Sequence, residues 1–296
     1  MKRFRVVHRT EYAYDRPMSD GFTVARLRPR EAPLQHLVSA ELTVTPPPDE
    51  WFESVDALGN STVHFAVHHP HHSLCVESTI EVDVADPPPI LFDPPWESVV
   101  AEAAHARGAA VLEVGPYLAH TAQTPCLDGL RELTAGAFVP GRGVVHAVRA
   151  LCNTVFVGFR FDPYATDIAT PLTDVLTGRH GVCQDFAHVT VAALRSVGLP
   201  ARYVSGYIET VPPPGLPRLV GVDASHAWCA VWAGPVLGWL DLDPTNDQLP
   251  PQRHVTVAWG RDYDDVTPVR GVVIGPSAGQ SLTVNVDVQE LVTPTS

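Results

Sequence analysis

The clearest helical pattern in the chain begins at Cys183. Apolar side chains recur after it at positions 186, 189, 193, 194 and 197, a spacing that places them on one face of a helix. Gly181 precedes this run, and Gly198 and Pro200 follow it, as expected where a helix begins and ends. Residues 201–208 are then rich in Tyr, Val and Ile, which predicts a strand. We therefore expect a buried helix with Cys183 at or near its first residue.

The first 86 residues have a different pattern. Apolar and polar positions alternate, or β-branched residues cluster, over three segments, which are 37–44, 63–67 and 74–82. Short runs rich in Pro, Gly, Asn and Asp separate these segments and indicate turns. This pattern is typical of a small antiparallel β-sandwich.

A proline-rich linker is predicted at residues 87–95, where two runs of prolines each follow an aspartate. After it, residues 97–110 and 144–155 have helical periodicity. Helices that precede the Cys183 helix, followed by strands, predict an α+β domain. We therefore divide the chain into a β-rich domain over 1–86, the linker, and a second domain over 96–296 with a C-terminal β extension.

A hairpin is predicted where two β-rich runs flank a Gly-Pro loop at residues 233–236. If these four residues form the loop, Trp232 pairs with Leu237 and His226 lies directly opposite Asp243. Directly opposed residues have Cβ atoms about 5 Å apart, within reach of an imidazole to carboxylate hydrogen bond.

The predicted hairpin leaves two candidates for the acid beside the histidine. Asp241 and Asp243 share one strand face, and a register slip of two residues would exchange them. With either acid, a cysteine at a helix start and His226 on a strand supply a nucleophile, a base and an orienting group. The pairing argument alone leaves Asp241 and Asp243 both open.

Length, charge and cysteine content indicate what kind of protein this is and which partners are disfavoured. The chain has 296 residues, 45% of them hydrophobic, which is enough for two substantial cores. Its charged start and the lack of a long apolar run favour a cytoplasmic protein. The net charge of −13 disfavours nucleic acid and anionic membranes as partners. The five cysteines form an odd set without a C-x-x-C pair, so we expect free thiols.

A histidine tract at residues 64–72 raises the question of a metal site. If 63–68 is a strand, His64 and His68 stand about 13 Å apart, too far for one ion. No cysteine or carboxylate in the tract completes a ligand set, so we interpret it as a solvated turn and expect no metal. The aspartates between 262 and 265 likewise lack the spacing of a calcium loop.

Several motifs together resemble the bacterial transglutaminase-like superfamily. They are Gly181-Val-Cys-Gln-Asp-Phe-Ala187, Ala201-Arg-Tyr-Val-Ser-Gly-Tyr207, Ser225-His-Ala-Trp228 and Gly238-Trp-Leu-Asp-Leu-Asp-Pro-Thr-Asn246, with His8 to Arg30 resembling the β-rich N-terminal domain and Gly260 to Pro268 the C-terminal part. The resemblance covers nearly the whole chain. It implies an α+β protein, with an N-terminal antiparallel β-sandwich followed by a papain-like transglutaminase core of helices packed on an antiparallel sheet.

The resemblance also implies roles for individual residues. Cys183 would be the nucleophile, His226 the general base and Asp243 the orienting acid, because the family's acid belongs to an Asp-Pro-Thr motif. The backbone N–H of Cys183 would be one oxyanion donor, with Tyr164 as an unassigned second candidate. The implied reaction is acyl transfer on a peptide or protein amide, by hydrolysis or by transamidation, without a cofactor. A catalytically silent binding or scaffold protein on the same fold is the alternative.

Overall fold

The computed structural model describes residues 1–209, 225–250, 253–276 and 279–291. The predicted loop at 211–217 lies outside the described residues. The strands are β1 (Lys2–Met18), β2 (Asp20–Ala25), β3 (Gln35–Thr45), β4 (Glu50–Val55), β5 (Ser61–Val67), β6 (His71–Val84), β7 (Arg160–Phe161), β8 (His180–Gly181), β9 (Ala201–Ile208), β10 (Ser225–Trp232), β11 (Trp239–Leu242), β12 (His254–Gly260), β13 (Val269–Ile274) and β14 (Gln280–Leu291). The helices are α1 (Trp96–Ala104), α2 (Ala109–Val114), α3 (Leu130–Ala135), α4 (Val144–Gly158), α5 (Leu172–Gly178), α6 (Cys183–Ser196) and α7 (Tyr263–Val266).

The N-terminal strands form two antiparallel sheets, in the orders β14-β1-β6-β3 and β13-β2-β5-β4. Along β6, Val76, Ile80 and Val82 are buried while Glu77, Thr79 and Glu81 are more exposed, as expected for strands with one face on a core. Phe65 of β5 lies in the same hydrophobic cluster as Val76, across from it in the other sheet. The predicted β-sandwich is confirmed.

The two C-terminal strands complete this sandwich. β13 pairs with β2, with Val269 opposite Ala25, and β14 pairs with β1, with Val288 opposite Val6. The sequence division assigned residues 96–296 to the second domain with a β extension, whereas in space the extension belongs to the N-terminal sheets. Local alternation predicts a strand but does not identify a partner more than 240 residues away, as the register numbers require.

Helix α6 lies at the centre of the second domain, between the other helices and the sheet that contains β10. It begins at Cys183, as predicted. Val189 and Leu194 of α6 are fully buried and share one hydrophobic cluster with Leu151 of α4 and Cys229 of β10. This packing holds α6 against the neighbouring sheet. The prediction of helices packed on an antiparallel sheet is confirmed.

The helices that precede α6 differ from the sequence prediction in one place. The single helix expected over 97–110 is divided into α1 and α2, because Gly108 between them adopts a positive φ of 60°. The helix expected over 144–155 is present as α4. Asp93, from the proline-rich linker, accepts a hydrogen bond from the N–H of Val145 at 2.7 Å and so caps the start of α4.

The hairpin next to the site has a different register from the predicted one. Trp232 pairs with Trp239, so the predicted pairing with Leu237 is wrong by two residues. The connection is longer because Gly234 and Gly238 both have positive φ, at 98° and 66°, and the N–H of Gly238 donates to the carbonyl of Gly234 at 2.8 Å. The complete sheet has the order β11-β10-β9-β12. Among the described residues, no helix is long and apolar enough to cross a membrane.

The sandwich packs directly on the sheet β11-β10-β9-β12. Phe4 and Val6 of β1 share a hydrophobic cluster with Tyr203 and Tyr207 of β9. Buried polar groups also join the two units, since the Nδ1 atom of His8 lies 2.9 Å from the hydroxyl of Tyr207. The sandwich therefore supports the back of the sheet that carries His226.

Candidate active site

Cys183 is the first residue of α6 and is partly exposed. The turn before it is held by Asp185, whose carboxylate accepts hydrogen bonds from the N–H of Val182 at 2.8 Å and from the hydroxyl of Thr166 at 2.6 Å. A Cβ atom on Gly181 would lie 2.4 Å from this carboxylate, so only glycine fits there. This arrangement presents the thiol at a helix N-terminus, where free N–H groups and the helix dipole stabilise a thiolate.

Two of the other cysteines are in an opposite environment. Cys152 and Cys229 are buried, and burial raises the pKa of Cys152 to about 12 and that of Cys229 well above its ordinary value. Cys126 is exposed and lies away from a helix start. Cys183 therefore differs from these thiols in combining access with a helix N-terminus.

His226 lies on β10, opposite Gly206 of β9, and only 7% of it is exposed. Its Nε2 atom lies 2.8 Å from Oδ2 of Asp243. Burial alone would lower the pKa of the imidazole, but hydrogen bonds and charges from Asp243 and Cys183 outweigh it and raise this pKa to about 9. The ring therefore favours the imidazolium form, which pairs with the carboxylate of Asp243.

The carboxylate of Asp243 is completely buried and accepts five hydrogen bonds. Oδ1 accepts from the backbone N–H groups of Thr245 at 3.0 Å and Asn246 at 3.2 Å. Oδ2 accepts from the side-chain amide of Asn246 at 2.7 Å, from His226, and from Nε2 of His254 at 2.9 Å. Burial would raise the pKa of Asp243, but the bonds from the two histidines outweigh it and hold this pKa well below its usual range.

The structure distinguishes Asp243 from Asp241. Leu242 pairs with Cys229, so Asp243 lies diagonal to His226, while Asp241 pairs with Ala230, further along β10. Diagonal neighbours on one sheet face are still within reach of long side chains. The shifted register thus keeps Asp243 beside His226, and Asp241 is placed instead near the guanidinium of Arg202, whose charge acts on it.

Two residues of the site were not singled out from the sequence. Asn246 was quoted within a motif without a role, and His254 was not considered. The alternating apolar residues of 254–260 could have predicted a strand. That this strand lies beside β9 is a long-range pairing without a local signal. Tyr164, the candidate second oxyanion donor, is 95% exposed on the surface and is therefore not a buried donor.

Two groups of side chains have residue types that can bind a metal ion. His226, Asp243 and His254 bring three possible ligand atoms within 4.8 Å of one another. Both ring nitrogens already share a hydrogen with the carboxylate, so these residues form a hydrogen-bonded group. In the histidine tract, His68 contacts Asp20 and Glu50 from neighbouring strands, at 3.1 and 3.4 Å, contacts that the tract's own sequence did not predict.

Two family models match separate parts of the chain. Residues 4–83 match the bacterial transglutaminase-like N-terminal region, and residues 131–244 match the transglutaminase-like superfamily. The uncharacterized protein Rv2569c of Mycobacterium tuberculosis is 40% identical over 294 residues, which are 97% of this chain and 92% of that protein. The protein-glutamine gamma-glutamyltransferase of Pseudomonas aeruginosa is 34% identical over 113 residues, which are 36% of this chain and 17% of that protein.

One solved structure resembles the whole chain. It is a crystal structure of a proposed cysteine protease from Cytophaga hutchinsonii, with a TM-score of 0.75 and 23% identity, covering 100% of this chain and 92% of that one. At this identity the likeness concerns the fold. The family matches and the relative along nearly its whole length establish that the chain belongs to the bacterial transglutaminase-like family, a group of cysteine-dependent acyltransferases and hydrolases.

Proposed function

We propose that this protein transfers the acyl group of a peptide or protein amide through a thioester on Cys183. The observation that carries the proposal is the hydrogen bond of 2.8 Å from Nε2 of His226 to Asp243, together with the position of Cys183 at the start of α6. This is the arrangement of a nucleophile, a base and an orienting acid. It agrees with the roles that the family resemblance implies for the same three residues.

In the first half of the reaction, the Cys183 thiolate attacks the amide carbonyl and a carbon–sulfur bond forms. The tetrahedral intermediate then collapses, the carbon–nitrogen bond breaks, and the His226 imidazolium gives its proton to the departing amine. A thioester and a neutral imidazole remain. The pKa of about 9 for His226 suits this step, because the ring begins as an acid at neutral pH.

The negative charge that develops on the carbonyl oxygen requires hydrogen-bond donors. The backbone N–H of Cys183 belongs to the first turn of α6, where N–H groups have no acceptor within the helix. An oxyanion formed at the thiol would lie near this donor and near the positive end of the helix dipole.

In the second half, neutral His226 takes a proton from water or from a primary amine, which attacks the thioester and breaks the carbon–sulfur bond. Water gives hydrolysis, and a lysine amine gives an amide cross-link. Lys2 is the only lysine in the chain and forms an ion pair with Glu290 at 2.6 Å. The scarcity of lysine would keep a cross-linking enzyme from modifying itself. Codon usage explains the same scarcity equally well.

The experiment is incubation of the protein with casein and a fluorescent primary amine, with amine incorporation, ammonia release and peptide cleavage followed together. Cys183→Ala should abolish every signal, and Cys126→Ser, at the exposed thiol, serves as the matched control. Incorporation would identify transamidation, whereas ammonia or cleavage without incorporation would identify hydrolysis. If casein is inert and iodoacetamide labels Cys183 no faster than Cys126, the silent scaffold is the better interpretation.

A further inference from the structure

A second histidine contacts the acid of the site. Nε2 of His254, on β12, lies 2.9 Å from Oδ2 of Asp243, the same oxygen that accepts from His226 at 2.8 Å. His254 is 5% exposed and Asp243 is completely buried, so water does not compete for this contact. The ring centroids of the two histidines are 5.7 Å apart. Both imidazoles therefore act on one carboxylate oxygen.

The contact determines where His254 carries its hydrogen. An ionised carboxylate only accepts hydrogen bonds, so Nε2 of His254 must be the protonated nitrogen. Its Nδ1 atom is buried and has no hydrogen-bond partner in the part of the chain that the structure describes. A hydrogen on Nδ1 as well would be a buried, unpaired donor beside a second imidazolium. The geometry therefore places the hydrogen of the ring on Nε2.

The packing around His254 holds the ring in this orientation. The ring lies edge-on to the indole of Trp228, with centroids 5.1 Å apart, and Trp228 in turn stacks on His226 at 6.0 Å. The other carboxylate near His254 is Asp241, and the charges of Arg202 and His254 both act to lower the pKa of Asp241, against the effect of its burial. Asp241 on β11 and Arg202 on β9 thus carry opposite charges in this part of the sheet.

We propose that His254 is a positioning residue of the site, which donates its Nε2 hydrogen to Asp243 and thereby limits how strongly this carboxylate attracts the proton of His226. The inference rests on the proposed function of Cys183 and His226. Three donors share the negative charge of this carboxylate oxygen, and each of them stabilises the ionised form and so lowers its attraction for a proton. Removal of His254 should leave more of that charge for His226 and stabilise its imidazolium.

The test is the rate of Cys183 alkylation by iodoacetamide between pH 5 and 10, because it needs no knowledge of the substrate. The alkaline inflection of this profile reports loss of the His226 proton. In His254→Leu, which has no donor, we expect the inflection to move upward by about one pH unit, the equivalent of a hydrogen bond to a charged group. In His254→Gln, whose amide can occupy the position of Nε2, we expect no shift.

His254→Asn provides a second variant without the contact, because its shorter amide does not reach Asp243, and it keeps the test usable if the leucine variant does not fold. A role confined to folding would lower the amount of active protein without moving the inflection. An unmoved or lowered inflection in folded His254→Leu or His254→Asn overturns the inference alone, because selective alkylation of wild-type Cys183 would still support the proposed function. If wild-type Cys183 is not selectively alkylated, both fail.

Discussion

Gly206 is separated from the ring of Trp228 by so little space that a Cβ atom added to it would lie 2.7 Å from the indole. The same atom would lie 2.0 Å from the carbonyl oxygen of Val255, on the other neighbouring strand. Gly206 is also the residue directly opposite His226. The absence of a side chain here allows Trp228 to pack across β9 and keeps β12 close, which brings His254 to Asp243.

We expect Gly206→Ala to destabilise the protein and to impair the site. Overpacking in a rigid core costs about 1–3 kcal/mol, and contact with backbone atoms places this change at the upper end. Urea unfolding should measure the loss. Cys183 alkylation should slow by about tenfold at neutral pH, equivalent to about 1.4 kcal/mol, because a shift of β10 would move His226.

The matched control is Gly129→Ala, since a Cβ on Gly129 meets nothing within 4 Å and its φ of −61° suits alanine. This change should leave stability unaltered or raise it slightly. Equal effects of the two substitutions would show that the close approach at Gly206 has no energetic importance.

The paired substitutions Asp243→Asn and Asp241→Asn test which acid orients His226. Asp243→Asn places an amide where five donors converge on a carboxylate, so we expect kcat to fall by about 100-fold or more. Asp241→Asn should leave kcat within about threefold, because this residue pairs with Ala230 further along β10. Rates should be normalised to the folded fraction from circular dichroism. A larger effect at Asp241 would reverse the assignment.

The sequence predicted local features of the site well. The spacing of apolar residues predicted a helix that begins at or near Cys183, and α6 does begin there. Such a prediction is possible because apolar residues recur regularly along one face of a helix and a glycine precedes its first residue. The strand that follows α6 was also predicted with its observed limits, Ala201–Ile208. Both features depend on neighbours in sequence, which is why a single chain is enough to predict them.

Features that depend on long-range pairing were not predictable in this way. The register of the β10–β11 hairpin depends on the positive φ of Gly234 and Gly238. A Gly-Pro pattern indicates a loop there but does not determine how many residues the loop contains. The strand β12, which contains His254, pairs with β9 although about 50 residues separate the two strands in sequence. The family resemblance, rather than the pairing argument, favoured Asp243 over Asp241, and Asp243 is the acid that lies beside His226.

Differential alkylation should distinguish the cysteines in the folded protein. Cys183 should react with iodoacetamide faster than exposed Cys126 below pH 8, because the helix N-terminus and His226 favour its thiolate. Cys152 and Cys229 should stay unmodified, since both are buried and burial raises their pKa values. Mass spectrometry of peptides after brief exposure measures each site. Labelling in urea provides the control, and there the rate advantage of Cys183 should disappear.

The free energy of unfolding should depend on pH through His8, which lies where the sandwich contacts β9. Burial lowers the pKa of this imidazole to about 4, from an ordinary value of 6.5. Between these two pH values the unfolded chain binds a proton that the folded protein does not, so the free energy of unfolding should fall as the pH decreases from about 6.5 to about 4. The contribution of His8 amounts to about 3 kcal/mol at most.

Urea unfolding of the wild type and of His8→Gln between pH 4 and 7.5 tests this dependence. The pKa of His188 is also lowered, to about 3, mainly by burial, so a slope of the same sign should remain in the variant. The difference between the two proteins isolates His8, because glutamine does not titrate but can still hydrogen-bond to Tyr207. His72→Gln, at an exposed position of the sandwich, should keep the wild-type slope. Identical slopes for His8→Gln and the wild type would mean that the buried imidazole gains its proton as readily as in the unfolded chain, and that His8 does not make the contact between the sandwich and β9 sensitive to acid.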